Sequence, residues 1–258
     1  MAVSPQSDQT SPDLSMIVPT YNERERLGEL VTALFDACDR ARVALELVIV
    51  DDNSPDGTGA VADELARTHR VVVIHRPGKL GLGTAVVEGF AMASAPVVGV
   101  MDADFSHPPA LIPRLLAAFH ATDAEVLVGS RYIPGGSTPS WPFKRRLLSR
   151  FACMLAWPLS PIRDATSGLF LIQTAIARDV RIKAGGFKIC LELIMRGRAT
   201  RLVELPYRFD DREAGESKMS LREAAGYLVQ LRDLYLLRLR GPWRRRTYRR
   251  LRPDETGD

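Results

Sequence analysis

Five short apolar runs, rich in Val and Ile, alternate with helix-length amphipathic stretches over the first half of this chain. The runs are residues 14–18, 45–50, 71–75, 96–101 and 125–130. This repeat is typical of strands that are buried on both faces of a parallel sheet and joined by helical crossovers. The sequence therefore predicts an α/β fold with a mainly parallel, doubly wound sheet, whose ligands bind at the carboxyl ends of the strands. Two later helices are predicted near residues 143–156 and 219–240.

Residues 14–240 are expected to form a single domain, because a chain of 258 residues can bury a full core and no internal repeat is present. Residues 1–13 are rich in Ser, Pro, Gln and Asp, which predicts a disordered tail and argues against a secretion signal. No run of about 18 apolar residues occurs, so a membrane-spanning helix is not expected. Cys38, Cys153 and Cys190 lie in apolar surroundings and are interpreted as reduced core thiols.

Positive charge is concentrated near the C-terminus, in a segment interpreted as a basic tail over residues 241–258. Residues 237–252 hold eight arginines and no acid, whereas residues 1–236 are nearly neutral. This distribution argues against a protein that wraps nucleic acid around its whole surface. The arginines alternate with Trp243 and Tyr248, which favours an anionic membrane surface as the partner, with nucleic acid and a plain solvated tail as alternatives.

Asp102-Ala103-Asp104 follow the fourth apolar run, at the end of the predicted strand. Carboxylates at that place are costly unless they are paired or bound to a cation. Hard oxygen ligands suit Mg²⁺ or Mn²⁺ that bridges to phosphates, and the Ser106 hydroxyl would add one more oxygen. The segment therefore predicts a metal and phosphate site, with helix capping as the alternative. His107, which precedes two prolines, is interpreted as a turn residue.

Asp52 follows the second run, where a carboxylate can accept hydrogen bonds from ribose hydroxyls or a base edge. Asp56 and Thr58 come next and are interpreted as turn and helix-cap residues. The sequence therefore places a second candidate binding residue at the same edge of the sheet.

The glycine-rich segment 78–85 resembles two nucleotide-binding motifs but fits neither. Val86 stands where the dinucleotide fingerprint needs its last glycine, and Leu80 follows Lys79 where a P-loop needs Ser or Thr. Dehydrogenase and P-loop functions are therefore poor interpretations. The glycines are expected to let the backbone approach a ligand or a neighbouring strand closely.

Two basic clusters lie in the second half of the chain. Arg212 and Lys218 flank a glycine-containing loop that could fold over a diphosphate, although charge-mixed loops are often only solvated surface. Arg131 follows the fifth run, and residues 144–146 begin the helix near 143–156. Arg131 and the basic residues 144–146 together predict a site for an anionic second substrate.

Taken in order, these motifs resemble those of dolichyl- or polyprenyl-phosphate mannose synthases, in glycosyltransferase family 2. The matching segments span residues 14–220 and read IVPTYNE, VDDNSPDGT, GLGTA, MDADFSHPP, VGSRY, WPFKRRLLSR, DATSG and DREAGESK. The resemblance implies the GT-A fold of nucleotide-diphospho-sugar transferases, which is Rossmann-like. It also implies a metal-dependent, inverting transfer of mannose from GDP-mannose to a polyprenyl monophosphate, which yields polyprenyl-phosphate mannose and GDP.

The resemblance further implies roles for individual residues. Donor contacts are implied for Pro19, Tyr21, Glu23, Val50, Asp52, Asp102, Ala103, Asp104, Arg212 and Lys218. The acceptor phosphate is assigned to Arg131 and Arg145, and Mg²⁺ or Mn²⁺ to Asp104 and Ser106. Catalysis is assigned to Asp102, Asp104, Arg131 and Arg212. Two departures from the family are Ser106, where many members have Gln, and Ala165-Thr166, which replace a commoner Pro-containing form.

The C-terminal membrane helices of some family members have no counterpart in the sequence. Attachment is therefore expected to be peripheral, at the cytoplasmic face of a membrane, through the Arg-rich tail or a membrane-protein partner. Two other functions are considered. One is transfer of glucose or an N-acetylhexosamine from a UDP-sugar to the same kind of lipid, and the other is a catalytically silent sugar-nucleotide-binding protein.

Overall fold

The computed structural model describes residues 11–180, 182, 188–210, 221–241 and 245–256. Its elements are β1 (Leu14–Thr20), α1 (Arg24–Arg40), β2 (Leu45–Asp51), α2 (Thr58–Leu65), β3 (Val71–His75), α3 (Leu82–Met92), β4 (Val97–Val100), α4 (Leu111–Ala121), β5 (Val126–Ser130), α5 (Phe143–Ala156), β6 (Phe170–Gln173), α6 (Thr174–Asp179), α7 (Ile189–Arg196), β7 (Arg201–Pro206), α8 (Leu221–Arg240) and β8 (Thr247–Arg250). All five apolar runs form strands, and the two predicted later helices are α5 and α8.

Within the described part of the chain, the strands form one sheet in the order β3-β2-β1-β4-β6-β5-β7-β8. Every neighbouring pair is parallel except the two that involve β6, which runs antiparallel to β4 and β5. The prediction of a mainly parallel α/β sheet is confirmed. Strand β6 lies beyond the strand–helix repeat of the first half of the chain, so that repeat did not predict it.

The core lies on both faces of the sheet because alternate residues of each strand point to opposite sides. In β1, Met16 and Val18 pack with α1 and α4, while Ile17 packs on the other face with α3 and α7. A third apolar cluster joins α5, α7 and α8. Cys38, Cys153 and Cys190 are buried free thiols, as the sequence predicts.

The sheet continues into the segment that the sequence interprets as a basic tail. Strand β8 pairs in parallel with β7, and Leu251 just after it is buried. Tyr248 donates a hydrogen bond to Glu204, and Arg246 donates to the carbonyl oxygens of Leu159 (2.6 Å) and Ala199 (3.1 Å). These aromatic and basic residues therefore have tertiary partners that composition cannot reveal.

None of the helices in the described ranges combines the length and the apolar character needed to cross a membrane.

Candidate active site

The carboxyl ends of β1, β2, β4 and β5 meet at one edge of the sheet, because β5 runs parallel to β4 through the reversed strand β6. Pro19 and Val50 are register partners near the ends of β1 and β2. Asp51, the last residue of β2, accepts hydrogen bonds from the Thr20 hydroxyl (3.2 Å) and the Ser54 backbone (3.0 Å). The Asp51 carboxylate thus holds the loop after β2, and Asp52 is the next carboxylate at this edge of the sheet.

Asp52 is buried in an ion pair with Arg76, a residue that the sequence analysis did not single out. The Gly81 backbone N–H also donates to Asp52 Oδ2 at 3.3 Å. Arg76 donates in addition to the Thr84 hydroxyl and to the Gly81 carbonyl at 3.3 Å. Arg76 follows β3 directly, so the rule that ligand-site residues follow strands could have identified it.

The glycine-rich segment crosses from Arg76 to α3 beside Tyr21. Lys79 Nζ lies 3.8 Å from the centroid of the Tyr21 ring, which is partly exposed. Gly81 has a φ of +99°, a left-handed conformation that favours glycine, and a Cβ there would meet nothing within 4 Å. At Gly81 the glycine therefore serves the turn, and the expected close approach to a neighbouring strand is not found.

Asp56 acts as a turn residue, as the sequence predicts, whereas Thr58 is the first residue of α2, a helix whose N-cap is Gly57 and which has no side-chain cap hydrogen bond. Asp56 Oδ1 accepts from the Thr58 backbone (3.0 Å) and hydroxyl (2.6 Å), while Thr58 Oγ1 accepts from the Glu23 N–H at 2.9 Å. This network fixes the start of α1, where Glu23, Arg24 and Asp56 line an open cleft of about 730 Å³. Glu23, a predicted donor contact, thereby lines this cleft.

Asp102-Ala103-Asp104 leave β4 with Ala103 buried in the core and both carboxylates on the accessible side. The Asp102 side chain is 45% exposed. Asp104 Oδ1 accepts from the Ser106 backbone at 3.1 Å and from its hydroxyl. Ser106 is itself buried, so the structure gives it an orienting contact with Asp104. Its role as a metal ligand stays a prediction.

His107 is buried and bridges two groups, a role that its interpretation as a turn residue missed. Its Nε2 lies 3.3 Å from Asp102 Oδ2, and its Nδ1 lies 3.0 Å from the Tyr207 hydroxyl. Desolvation raises the pKa of Asp102, but the hydrogen bond from His107 and nearby positive charge more than offset it, so the pKa is lowered. Asp102 is therefore held as a carboxylate.

Arg131 and Asp164 form a buried pair at the end of β5. Arg131 Nε and Nη2 each lie 2.7 Å from an Asp164 oxygen, and the Arg131 backbone N–H donates to the same carboxylate at 2.9 Å. Desolvation opposes both charges, yet the attraction between them raises the pKa of Arg131 and lowers that of Asp164. Asp164 begins the DATSG motif, and no role for it was predicted from the sequence.

Trp141 brings the two predicted acceptor arginines together. The guanidinium carbon of Arg131 lies 5.1 Å from the centroid of its ring, and that of Arg145 lies 4.0 Å away. Arg145 stands on the first turn of α5. Cationic side chains are attracted to the face of an indole at these distances. Two residues that are 14 positions apart in the sequence thus both lie near the ring of Trp141.

Gly168 connects the motif around Asp164 to the carboxylate segment. A Cβ built on Gly168 would lie 2.9 Å from Asp102 Oδ2. The motif thus contacts Arg131 at one end and Asp102 at the other. Arg212 and Lys218 lie outside the described residues, so their predicted contacts with a diphosphate have no structural test.

Comparison with known proteins identifies the family to which the chain belongs. Residues 15–181 match Glycosyl transferase family 2. The chain belongs to that family. It is 41% identical over 230 residues to the dolichol-phosphate mannosyltransferase of Pyrococcus furiosus, a match that covers 87% of this chain and 63% of the relative. The chain thus spans less than two thirds of the length of that relative.

Two further relatives are matched over most of their length. The dolichol-phosphate mannosyltransferase of Saccharomyces cerevisiae is 37% identical, with 88% of each chain covered. The polyprenol monophosphomannose synthase of Mycolicibacterium smegmatis is 40% identical, with 81% of this chain and 83% of the relative covered. The resemblance of the sequence motifs to those of dolichyl- or polyprenyl-phosphate mannose synthases is confirmed.

Two solved structures of other proteins share the fold. The mannosyltransferase PcManGT from Pyrobaculum calidifontis, in complex with GDP-Man and Mn²⁺, gives a TM-score of 0.61 at 19% identity and covers 92% of this chain and 67% of its own. TarS of S. aureus, in complex with UDP-GlcNAc, gives a TM-score of 0.64 at 17% identity and covers 90% and 68%. The predicted GT-A fold of the family 2 chain is confirmed.

Proposed function

We propose that this chain transfers mannose from GDP-mannose to a polyprenyl monophosphate, with inversion at the sugar carbon and release of GDP. The names of the three relatives support the sugar and the lipid acceptor. The neighbour in complex with GDP-Man and Mn²⁺ supports the donor. The observation that carries the proposal is that Asp102 lies beside Gly168 of the motif at 164–168, whose Asp164 binds Arg131. Arg131 and Arg145 both lie near the ring of Trp141.

The proposed reaction is a direct displacement without a covalent enzyme intermediate. A phosphate oxygen of the lipid attacks the anomeric carbon and forms a new C–O bond. The bond from that carbon to GDP breaks, and its electron pair leaves on the diphosphate oxygen. Because a phosphate monoester has a second pKa of about 6, the acceptor is largely dianionic at neutral pH and needs no strong general base. The protein's task is to align two anions and to stabilise the leaving diphosphate.

Asp104 and Asp102 fit a divalent cation of the Mg²⁺ or Mn²⁺ type, since both present hard carboxylate oxygens at a strand end and Ser106 orients one of them. Among the described residues, no group of three His, Cys, Asp or Glu side chains could hold a metal. The proposal therefore takes the remaining ligands from diphosphate oxygens and water. When bound, the cation neutralises charge that develops on the diphosphate.

Arg131 and Arg145 hold the acceptor phosphate in this proposal. Asp164 fixes the Arg131 guanidinium from two nitrogens, and Trp141 supports Arg145, so both cations are oriented before the lipid binds. Pre-oriented cations lower the entropy lost on binding. Arg212 and Lys218 are proposed to hold the donor diphosphate on the other side of the sugar.

Peripheral attachment to the cytoplasmic face of a membrane is part of the proposal, and α5 and α8 support it. Their exposed apolar residues, each more than half exposed, are Phe143, Leu147, Leu148, Phe151, Met154, Leu228, Val229 and Leu239. Four basic residues, Lys144, Arg145, Arg146 and Arg150, lie on α5 among them. An apolar surface with interspersed cations suits an anionic bilayer and lies on the helix that carries Arg145. We therefore assign lipid contact to α5 and α8 ahead of the Arg-rich segment.

The decisive experiment incubates the purified chain with labelled GDP-mannose, UDP-glucose or UDP-GlcNAc and a short polyprenyl phosphate, with and without EDTA. We expect labelled lipid from GDP-mannose alone and no product after chelation. Lipid product from UDP-glucose only would overturn the donor assignment. Binding of GDP-mannose without any transfer would instead identify a catalytically silent sugar-nucleotide-binding protein.

A matched pair of variants tests the acceptor site in the same assay. Arg145→Ala is expected to raise the KM for the lipid phosphate by about tenfold or more, because a charge-assisted hydrogen bond contributes about 1.5–3 kcal/mol. Lys144→Ala removes a neighbouring positive charge of the same helix and serves as the control. Equal effects of the two changes would indicate a general electrostatic contribution and contradict a specific site at Arg145.

A further inference from the structure

His107 is a buried polar side chain that the proposed chemistry does not use. It is 1% exposed and lies in an aromatic pocket, with the ring centroid of Tyr207 at 5.7 Å and that of Phe209 at 5.6 Å. A polar group in such surroundings is costly unless it is hydrogen-bonded. Both ring nitrogens of His107 have partners, Asp102 and the Tyr207 hydroxyl.

The directions of the two hydrogen bonds follow from the chemistry of the partners. An ionised Asp102 can only accept, so Nε2 of His107 must carry a proton. Burial raises the pKa of Tyr207 well above its ordinary value, so its hydroxyl keeps its proton and can donate to Nδ1. Donation from the Tyr207 hydroxyl to Nδ1 leaves the ring proton of His107 on Nε2, which faces Asp102.

The same aromatic cluster reaches the arginine pair. Phe209 packs edge-to-face on Trp141 with centroids 5.3 Å apart. Trp141 contacts Arg131 and Arg145 as described above, and Arg131 also lies 5.5 Å from the Phe209 ring. His107 therefore lies between the carboxylate segment after β4 and the aromatic residues that contact the acceptor arginines.

We propose that His107 is a positioning residue, which holds the Asp102 carboxylate in one orientation relative to the arginine pair on Trp141. The inference rests on the proposed function, because it gives a role to Asp102 in binding the cation and diphosphate. His107 acts through Asp102 and does not touch the substrate. Loss of a residue that orients a ligand of a metal site typically costs about 10–100-fold in affinity or activity.

Two near-isosteric variants each keep only one of the two hydrogen bonds of His107. The glutamine of His107→Gln can place an N–H near the position of Nε2, so it keeps the contact with Asp102. The asparagine of His107→Asn reaches only the position of Nδ1, so it keeps the contact with Tyr207 and loses Asp102. His120, an exposed histidine on α4, receives the same two changes as a control.

The affinity of each full-length variant for GDP in the presence of Mn²⁺ is measured by calorimetry, together with its Tm and its kcat and KM for GDP-mannose. We expect His107→Asn to weaken GDP binding by about 10–100-fold and His107→Gln to bind close to the wild type, while both lower Tm to a similar extent. The His120 variants should match the wild type.

Equal GDP affinity in the two His107 variants would overturn the inference, because the contact with Asp102 would then have no consequence. A loss of affinity that follows Tm across both variants would also overturn it, since the role would then be purely structural. If the wild type binds GDP with Mn²⁺ but transfers no mannose, the proposed function fails, and the difference between the two His107 variants still decides the inference.

Discussion

Removal of the Asp164 carboxylate gives the sharpest test of how the acceptor side of the site is built. The Asp164 side chain is fully buried and accepts three hydrogen bonds from Arg131 at 2.7, 2.7 and 2.9 Å. Asp164→Ala leaves the Arg131 guanidinium buried without its counter-charge. Breaking a buried ion pair from one side typically costs about 3–5 kcal/mol, so we expect a loss of this size in the free energy of unfolding.

An exposed pair in the same chain provides the matched control. Arg67 and Glu64 also approach to 2.7 Å, but their side chains are 72% and 69% exposed. The shortest N–O distance is therefore the same in both pairs, while burial and the number of hydrogen bonds differ. Exposed pairs contribute about 0.2–1 kcal/mol, so Glu64→Ala should hardly change stability.

Urea unfolding and thermal unfolding measure both variants. At about 2–4 °C per kcal/mol for a domain of this size, Asp164→Ala should lower Tm by about 6–20 °C, and Glu64→Ala by less than about 4 °C. A double variant, Arg131→Met with Asp164→Leu, should recover much of the stability, since replacing a buried pair by apolar groups is often neutral. It should not recover transfer to the lipid. Losses below about 1 kcal/mol in Asp164→Ala would refute the reasoning.

The same pair has a defined pH dependence. Because the folded-state pKa of Asp164 lies below its unfolded value of about 3.9, its contribution to stability is complete above that value and is lost as the pH falls through the folded-state pKa. The stability difference between the wild type and Asp164→Ala should therefore stay constant from neutral pH to about pH 5. It should shrink below about pH 4. A difference that shrinks near pH 6 would assign it to another group.

Three further predictions concern the carboxylate segment and the lipid surface. Asp104→Ala should keep the circular dichroism spectrum of the wild type and lose nearly all transfer; near-normal turnover would contradict the metal assignment. Gly168→Ala should reduce transfer with little change in Tm, because its Cβ would displace Asp102, whereas Gly28→Ala, with nothing within 4 Å, should leave transfer unchanged and stabilise α1 by about 0.5–1 kcal/mol. Leu147→Glu should reduce sedimentation with anionic liposomes, and unchanged binding would exclude α5 as the contact.

Local sequence patterns were sufficient to predict the first five strands and the edge of the sheet where the site lies. The pattern works there because strands buried on both faces must be apolar along their length, and polar residues collect where such strands end. The same pattern did not reveal β6, β7 and β8. Charged residues interrupt the sequences of β7 (RLVELP) and β8 (TYRR), so neither reads as an apolar run buried on both faces.

Some residues of the candidate site could be selected from the sequence, and others needed the structure. Asp52, Asp102 and Asp104 could be selected from the sequence because each stands directly after a predicted strand. Residue type and position did not distinguish Arg145 from Lys144, since both are basic and adjacent, and only the family resemblance selected Arg145. The structure separates them, because Arg145 lies over the ring of Trp141.

The sequence by itself determined the α/β class, the positions of the carboxylates and, through the ordered motifs, the family. Only the tertiary structure decided which charged and polar side chains are paired. Asp52 meets Arg76 across 24 residues, Arg131 meets Asp164 across 33, and His107 meets Tyr207 across 100. Such partners are chosen by where the strands of the sheet end relative to one another, and burial then makes each pairing obligatory, because an unpaired charge inside the protein costs several kcal/mol.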